Sequence, residues 1–217
     1  MKRNVLLFAI VISCFTMAQA QVGPGLFLGG GIGLSTQNSK ETIGSMTEDG
    51  PKTTNFSIGP AVGYYFTENV GVGLRVGFGS SNTKQSFGAQ DFESSTTLIS
   101  AELFGRYAST IGEGNNFAWF AEVNAGYSNF TIETTVGNTT TEGDPISTIY
   151  FGIAPGLIFF PSPQFGIEAT LGNIFGYSSI TIEDADDSRN KEVINDLSIL
   201  NFSTMSLNFG FYYYFNR

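Results

Sequence analysis

Five charged residues stand inside otherwise apolar stretches of the chain: Arg75, Glu102, Arg106, Glu122 and Glu168. Carboxylates and guanidinium groups are the main chemical resource, because the sequence contains no histidine and its one cysteine, Cys14, lies in the N-terminal apolar run. A Ser-His-Asp arrangement and a histidine-held metal are therefore excluded. If Cys14 leaves with a signal peptide, thiol chemistry and disulfides go too. What remains is ion pairing, or formally a carboxylate-only mechanism, and we read the chain as not an enzyme. Gly29-Gly30-Gly31-Ile32-Gly33 superficially resembles a phosphate loop, but no Lys-Ser/Thr follows it. Small residues on a crowded wall are the plainer reading. Asp184-Ala185-Asp186 begins like a calcium-binding loop. Arg189 then occupies the position that needs glycine, and Asn195 that of the bidentate glutamate. The stretch 183–196 reads as a solvated acidic loop, with no metal or other cofactor expected. Nucleic acid is an equally poor partner for a chain of net charge −9 with no basic stripe.

The elements that hold the five charges are strands. Val70, Val72, Leu74, Val76 and Phe78 share one parity, while Gly71, Gly73, Arg75, Gly77 and Gly79 take the other. Such alternation marks a strand with one apolar face. Seven further segments follow the pattern: Gly25–Thr36, Asn55–Phe66, Thr97–Ser109, Phe117–Ser128, Ile149–Phe160, Phe165–Ile174 and Ser203–Phe215. Each of the five charges falls on the parity opposite the apolar face of its own strand. Leu98 and Phe104 break the pattern by sharing the parity of Glu102, and Pro60 and Pro155 should interrupt ladders, since proline lacks the donor.

Composition explains why the apolar faces point outward. Only 13% of residues are charged, with 27 Gly, 21 Phe and 9 Tyr, against about 25% charged in a soluble domain. The mature part has no apolar run long enough for a spanning helix. A closed barrel is the other way to satisfy every backbone group in a bilayer. Lys2 and Arg3, the apolar run Val5 to Met17 and Ala18-Gln19-Ala20 read as a cleaved signal peptide, residues 1–20, followed by one barrel domain, 21–217. Short connections (Thr67-Glu68-Asn69, Thr110–Asn116, Pro161-Ser162-Pro163-Gln164) alternate with long polar ones (Gln37–Thr54, Ser81–Thr96, Asn129–Thr148, Ser178–Phe202). That alternation fits short periplasmic turns and longer outer loops. Val136-Gly137-Asn138-Thr139 reads as a tight hairpin turn. The expected fold is thus all-β: an eight-stranded antiparallel up-and-down transmembrane β-barrel, acting as a monomer in a bacterial outer membrane.

Several residues acquire expected roles from this placement. Tyr64, Phe66, Tyr107, Phe117, Trp119, Phe159, Phe165, Tyr213 and Phe215 lie near periplasmic strand ends, where aromatic rings favour the membrane interface. Arg75, Glu102 and Glu122 should lie at one depth, with Arg106 and Glu168 as a lower pair. Together they should form a buried ion network, with Tyr65, Tyr150 or Tyr212 as hydrogen-bond partners. Lys40, Lys52, Lys84, Arg189 and Lys191 in the outer connections are candidates for contact with lipopolysaccharide phosphates.

The layout resembles the small OmpA/OmpX-type barrels, and more specifically the outer membrane β-barrel domain family common in Bacteroidota. Asn208, Gly210, Tyr213 and Phe215 resemble the C-terminal signal read by the barrel-assembly machinery, although the chain continues to Asn216 and Arg217. The resemblance implies outer-membrane residence. It leaves open a structural or surface-interaction role toward an extracellular ligand or cell surface, a narrow pore, and a lipid-modifying enzyme or small-ligand carrier.

Overall fold

The computed structural model describes residues 22–43, 46–87, 90–112, 115–183, 191–199 and 207–215. The signal-peptide reading of residues 1–20, Arg189 and most of the acidic stretch 183–196 lie outside them. The strands are β1 (Gly25–Ile43), β2 (Met46–Tyr65), β3 (Val70–Phe87), β4 (Gln90–Ile111), β5 (Phe117–Val136), β6 (Thr139–Glu142), β7 (Ile146–Ser162), β8 (Phe165–Leu171), β9 (Phe175–Glu183), β10 (Lys191–Ile199) and β11 (Leu207–Tyr214).

Eight wall positions close into an antiparallel barrel. β1, β2, β3, β4, β5 and β7 follow one another, β8 with β9 makes the seventh position, and β11 the eighth. β11 returns to β1 from Phe27 opposite Tyr214 to Gly31 opposite Gly210, which closes the ring. β6 pairs with β5, and β10 with β9, as additional strands at the hairpin end.

Three expectations need correction. The long polar connections are mostly strand: β1 and β2 stay paired to Ile43 opposite Met46, and β3 and β4 to Phe87 opposite Gln90. β9 and β10 likewise form a hairpin within Ser178–Phe202. Their Thr- and Ser-rich sequences look like loops by polarity, yet β-branched threonine suits a strand with both faces wet. The seventh strand is also not continuous. β8 ends at Leu171, and Gly172-Asn173-Ile174 shifts the register against β7 before β9 begins. Finally, neither proline forces a bulge. Pro60 lies opposite Gly30, and the β2–β3 ladder only lapses between Ile58–Phe78 and Ala61–Arg75, without a shift. Pro155 sits where β7 changes partner from β9 to β8. The Gly137-Asn138 turn forms as the sequence indicates, with Gly137 at φ 59°.

The wall is apolar outside. Leu26, Leu28 and Ile32 of β1, Val72, Leu74 and Val76 of β3, and Leu157 and Phe159 of β7 are exposed, the inverse of a soluble barrel and the arrangement lipid requires. Rings gather at the turn end on this outer face. Phe117 and Phe159 centroids are 5.0 Å apart, Tyr107 and Trp119 5.5 Å, and Tyr213 and Phe215 4.9 Å. The turns there are tied to the wall: Asn69 donates from Nδ2 to the Ala108 carbonyl at 2.7 Å, and the Tyr214 amide to the Gln164 carbonyl at 2.8 Å.

Candidate functional site

Pleat places the five charges inside. Arg75 lies directly opposite Glu102 across β3 and β4, and Arg106 directly opposite Glu122 across β4 and β5. Glu122 is thus level with Arg106, not with Arg75 as the sequence reading supposed, because strands displaced by shear do not share depth at equal distance from their ends. Its carboxylate reaches both guanidinium groups. Arg75 donates to Glu102 and to both Glu122 oxygens, at 3.1 and 3.2 Å to the latter. Arg106 donates to Glu122 Oε2 from Nε at 3.1 Å and from a terminal nitrogen at 2.8 Å. Its other terminal nitrogen reaches Glu168 Oε1 at 2.7 Å. Tyr214 donates its hydroxyl to the same Glu168 oxygen at 2.6 Å. The result is one chain of charges, Glu102–Arg75–Glu122–Arg106–Glu168, ending on Tyr214.

Arg106 and Glu122 are 2% exposed and Glu168 1%. Burial of this kind demands full hydrogen bonding, and the forked guanidinium groups supply it. Below the network, toward the turns, Phe27, Tyr65, Phe104, Phe120, Ile158, Phe160, Tyr212 and Tyr214 fill the lumen. The Arg106 guanidinium lies 4.2 Å from the Phe120 ring centre and 5.4 Å from that of Phe104, close enough for cation–π attraction. Phe104, an irregularity in the sequence pattern, is inward for this reason, and it also sits 4.8 Å from the guanidinium of Arg75.

Room for these rings comes from glycine on the neighbouring strand. A Cβ on Gly63 would lie 2.2 Å from Phe27, and one on Gly156 2.2 Å from Phe120. Phe27 is directly opposite Gly63, and Phe120 directly opposite Gly156. Sequence reasoning did not assign Phe27, Phe120 or Tyr214 to the lumen; the signal was available in their parity, which matches that of the charges. Of the three suggested tyrosines, Tyr150 hydrogen-bonds Glu102 and Tyr212 packs into the plug, while the Tyr65 hydroxyl is buried with no hydrogen-bond partner.

Above the network the lumen widens. One cavity of about 600 Å³ is bordered by Gly31, Gly33, Ser57, Gly77 and Thr170. A second of about 450 Å³ is bordered by Glu102, Glu122, Asn124, Tyr150 and Asp196. Arg75 and Asn208 face both. Outside, Lys52 lies opposite Lys84 in the hairpin extensions. Lys84 is 3.2 Å from Glu93, whose carboxyl also accepts from Asn82 at 2.6 Å. The Asn82 hydrogen bond first, and the Lys84 charge second, hold Glu93 below the usual carboxylate range. Lys191 is 2.5 Å from Glu183. Lys40 is a β1 residue opposite Asp49, but its side chain is outside the described residues. Of the proposed assembly signal, Asn208 and Gly210 share the inward parity of β11, and Tyr213 and Phe215 are exposed on the outer face.

A family model for the outer membrane protein beta-barrel domain matches residues 6–215. No curated protein matches the sequence. Three solved structures resemble the chain. Outer membrane protein OprG from Pseudomonas aeruginosa is 13% identical, with 91% of this chain and 98% of that chain covered and a TM-score of 0.52. Neisserial surface protein A is 14% identical, with 88% and 97% covered and a TM-score of 0.39. Ail, the attachment invasion locus protein of Yersinia pestis, is 16% identical, with 89% and 99% covered and a TM-score of 0.33. At this identity the likeness to OprG speaks to fold alone.

Proposed function

We propose a role that proceeds from one premise: the chain belongs to the outer membrane protein beta-barrel domain family. Its barrel serves the outer membrane as a sealed wall element, presenting strand hairpins and a shallow lumen cup to the cell's surroundings, and not as a through-pore. The observation that carries this reading is the seal itself. Phe27, Tyr65, Phe120 and Ile158 have no exposed surface, and the ion chain lies directly above them. An eight-stranded barrel is only wide enough for side chains or one small ligand, and here the turn end is filled by side chains. The refolded chain in planar bilayers should therefore show no stepwise conductance. Regular unitary currents would overturn the reading in favour of the narrow pore.

The orientation we assign sets the turns in the periplasm and the hairpins outside, after export with a cleaved signal peptide. Lys52, Lys84 and Lys191 would then stand above the apolar belt, at the level of lipopolysaccharide phosphates. In the same reading Asn208, Gly210, Tyr213 and Phe215 guide insertion by the assembly machinery. Tyr213 and Phe215 are exposed and in edge-to-face contact, so their replacement would cost the barrel little packing. Replacing both with alanine should lower the amount of folded protein in the membrane several-fold, while deleting Asn216 and Arg217 should not. Equal outer-membrane levels of the two variants, measured by heat-modifiable migration, would count against that role.

A further inference from the structure

The lumen network is one positive charge short. Its three carboxylates face two guanidinium groups; Arg106 is spent on Glu122 and Glu168, and Arg75 is divided between Glu102 and Glu122. The cavity of about 450 Å³ lies on the short side. Its charged lining consists of Glu102, Glu122 and Asp196 against Arg75 alone. A second, independent feature stands in the same wall. Asn124 is 5% exposed, donates its amide N–H to Asn173 at 3.2 Å, and leaves its Oδ1 without any partner. A buried acceptor with nothing to accept is costly in a folded protein. Carboxylate excess and orphan acceptor both ask for a positively charged donor.

We propose that this cavity binds a small organic cation bearing N–H donors, a primary ammonium, that enters from the hairpin end. Resting on the sealed-barrel reading above, this names the ligand class of the cup. One ammonium group would bring the charge of the network to zero and would supply three donors, enough for Glu102 and the amide wall of Asn124 and Asn173. The rings of Tyr150 and Tyr177 also line the cavity, and aromatic faces attract cations. A multivalent metal fits less well, because among the described residues no three carboxylate, histidine or cysteine side chains converge on one point. The volume lies in the range of small-molecule sites, so a short alkyl chain can accompany the charged head. The acidity of the whole chain, net −9, raises the local concentration of cations at the mouth.

The test is titration calorimetry on the refolded full chain in a nonionic detergent at constant ionic strength. n-Butylammonium is the probe, and tetramethylammonium, which has the charge but no N–H, is the control. Wild type should take up one butylammonium saturably and bind tetramethylammonium at least tenfold more weakly. Glu102→Gln should weaken butylammonium binding at least tenfold while folding as well as wild type, since it removes the surplus charge. Glu93→Gln, on the outer rim, should leave binding unchanged. Should Glu102→Gln fail to fold, Tyr150→Phe and Asn124→Leu carry the same expectation of weaker binding. No saturable uptake by wild type, equal affinity for the two cations, or unchanged binding in the lumen variants would overturn the proposal. Conductance measured on the same preparation separates the two readings: a silent barrel without uptake defeats only this one, and a conducting barrel defeats the seal.

Discussion

Arg106→Ala should destabilise the barrel by about 3–5 kcal/mol, the loss expected when one partner of a buried ion pair is removed. The side chain is fully enclosed, and it holds Glu122 at 2.8 Å and Glu168 at 2.7 Å. Without it two carboxylates stay in a dry site, with Arg75 alone to answer three. Arg75→Ala should be milder, because Arg75 borders both water-accessible cavities and its side chain keeps 27% exposure, so water can replace part of what is lost. Arg106→Lys should fall between wild type and alanine, since an ammonium keeps the charge but not the fork. A triple variant, Arg106→Met with Glu122→Gln and Glu168→Gln, leaves the balanced pair Arg75–Glu102 and should recover most of the loss. The measurement is the urea midpoint for unfolding from vesicles, followed by heat-modifiable migration. A midpoint for Arg106→Ala equal to wild type would mean that the network contributes nothing to holding the wall.

Phe27→Ala should cost a comparable amount, about 3–5 kcal/mol, as buried aromatic truncations do. The ring is wholly buried and contacts Tyr65 at 5.1 Å, Tyr214 at 5.7 Å, Tyr212 at 6.1 Å and Phe104 at 6.2 Å between centroids. Gly63→Ala should also destabilise, by about 1–3 kcal/mol, the usual range for an overfilled core, because its methyl would meet Phe27 at 2.2 Å. The two effects share one cause, so they should not add. In the double variant the new methyl enters space the ring has left, and the combined loss should be smaller than the sum by about 0.5–3 kcal/mol, the coupling range for residues in contact. Additive losses in the same urea assay would show that glycine at position 63 answers some other need.

Much of this arrangement was legible in the residues. The period of two assigned the wall strands, and the parity of Arg75, Glu102, Arg106, Glu122 and Glu168 indicated an inward placement before any coordinate. Depth was not legible. Glu122 reads as level with Arg75 when counted from its strand end, and only the pairing register reveals it opposite Arg106. The hairpin extensions were missed because loops and two-sided wet strands share a polar composition, and hydrophobic patterning, the chief strand signal, is silent where neither face is buried. The plug was missed differently. Phe27, Phe120 and Tyr214 have the right parity, but aromatics on both faces of a strand cannot be divided between lipid and lumen without knowing where glycine stands opposite.

The narrow seam between β1 and β11 bears on the order in which the barrel forms. Most other wall ladders join strands that are neighbours along the chain, whereas this one joins the two extremes of the domain, from Phe27 opposite Tyr214 to Gly31 opposite Gly210. Loop-closure entropy makes the most distant pairing the costliest to begin, so the sheet should grow as hairpins and meet its own first strand last. The side chains that cross this seam, Phe27 from one side and Tyr212 and Tyr214 from the other, are also core members of the plug. Tyr214 moreover brings the hydroxyl that ends the ion chain on Glu168. Zipping the wall and packing the interior are therefore one kinetic event, and a chain halted before it would present an open edge and a wet, unneutralised interior to the bilayer at the same moment.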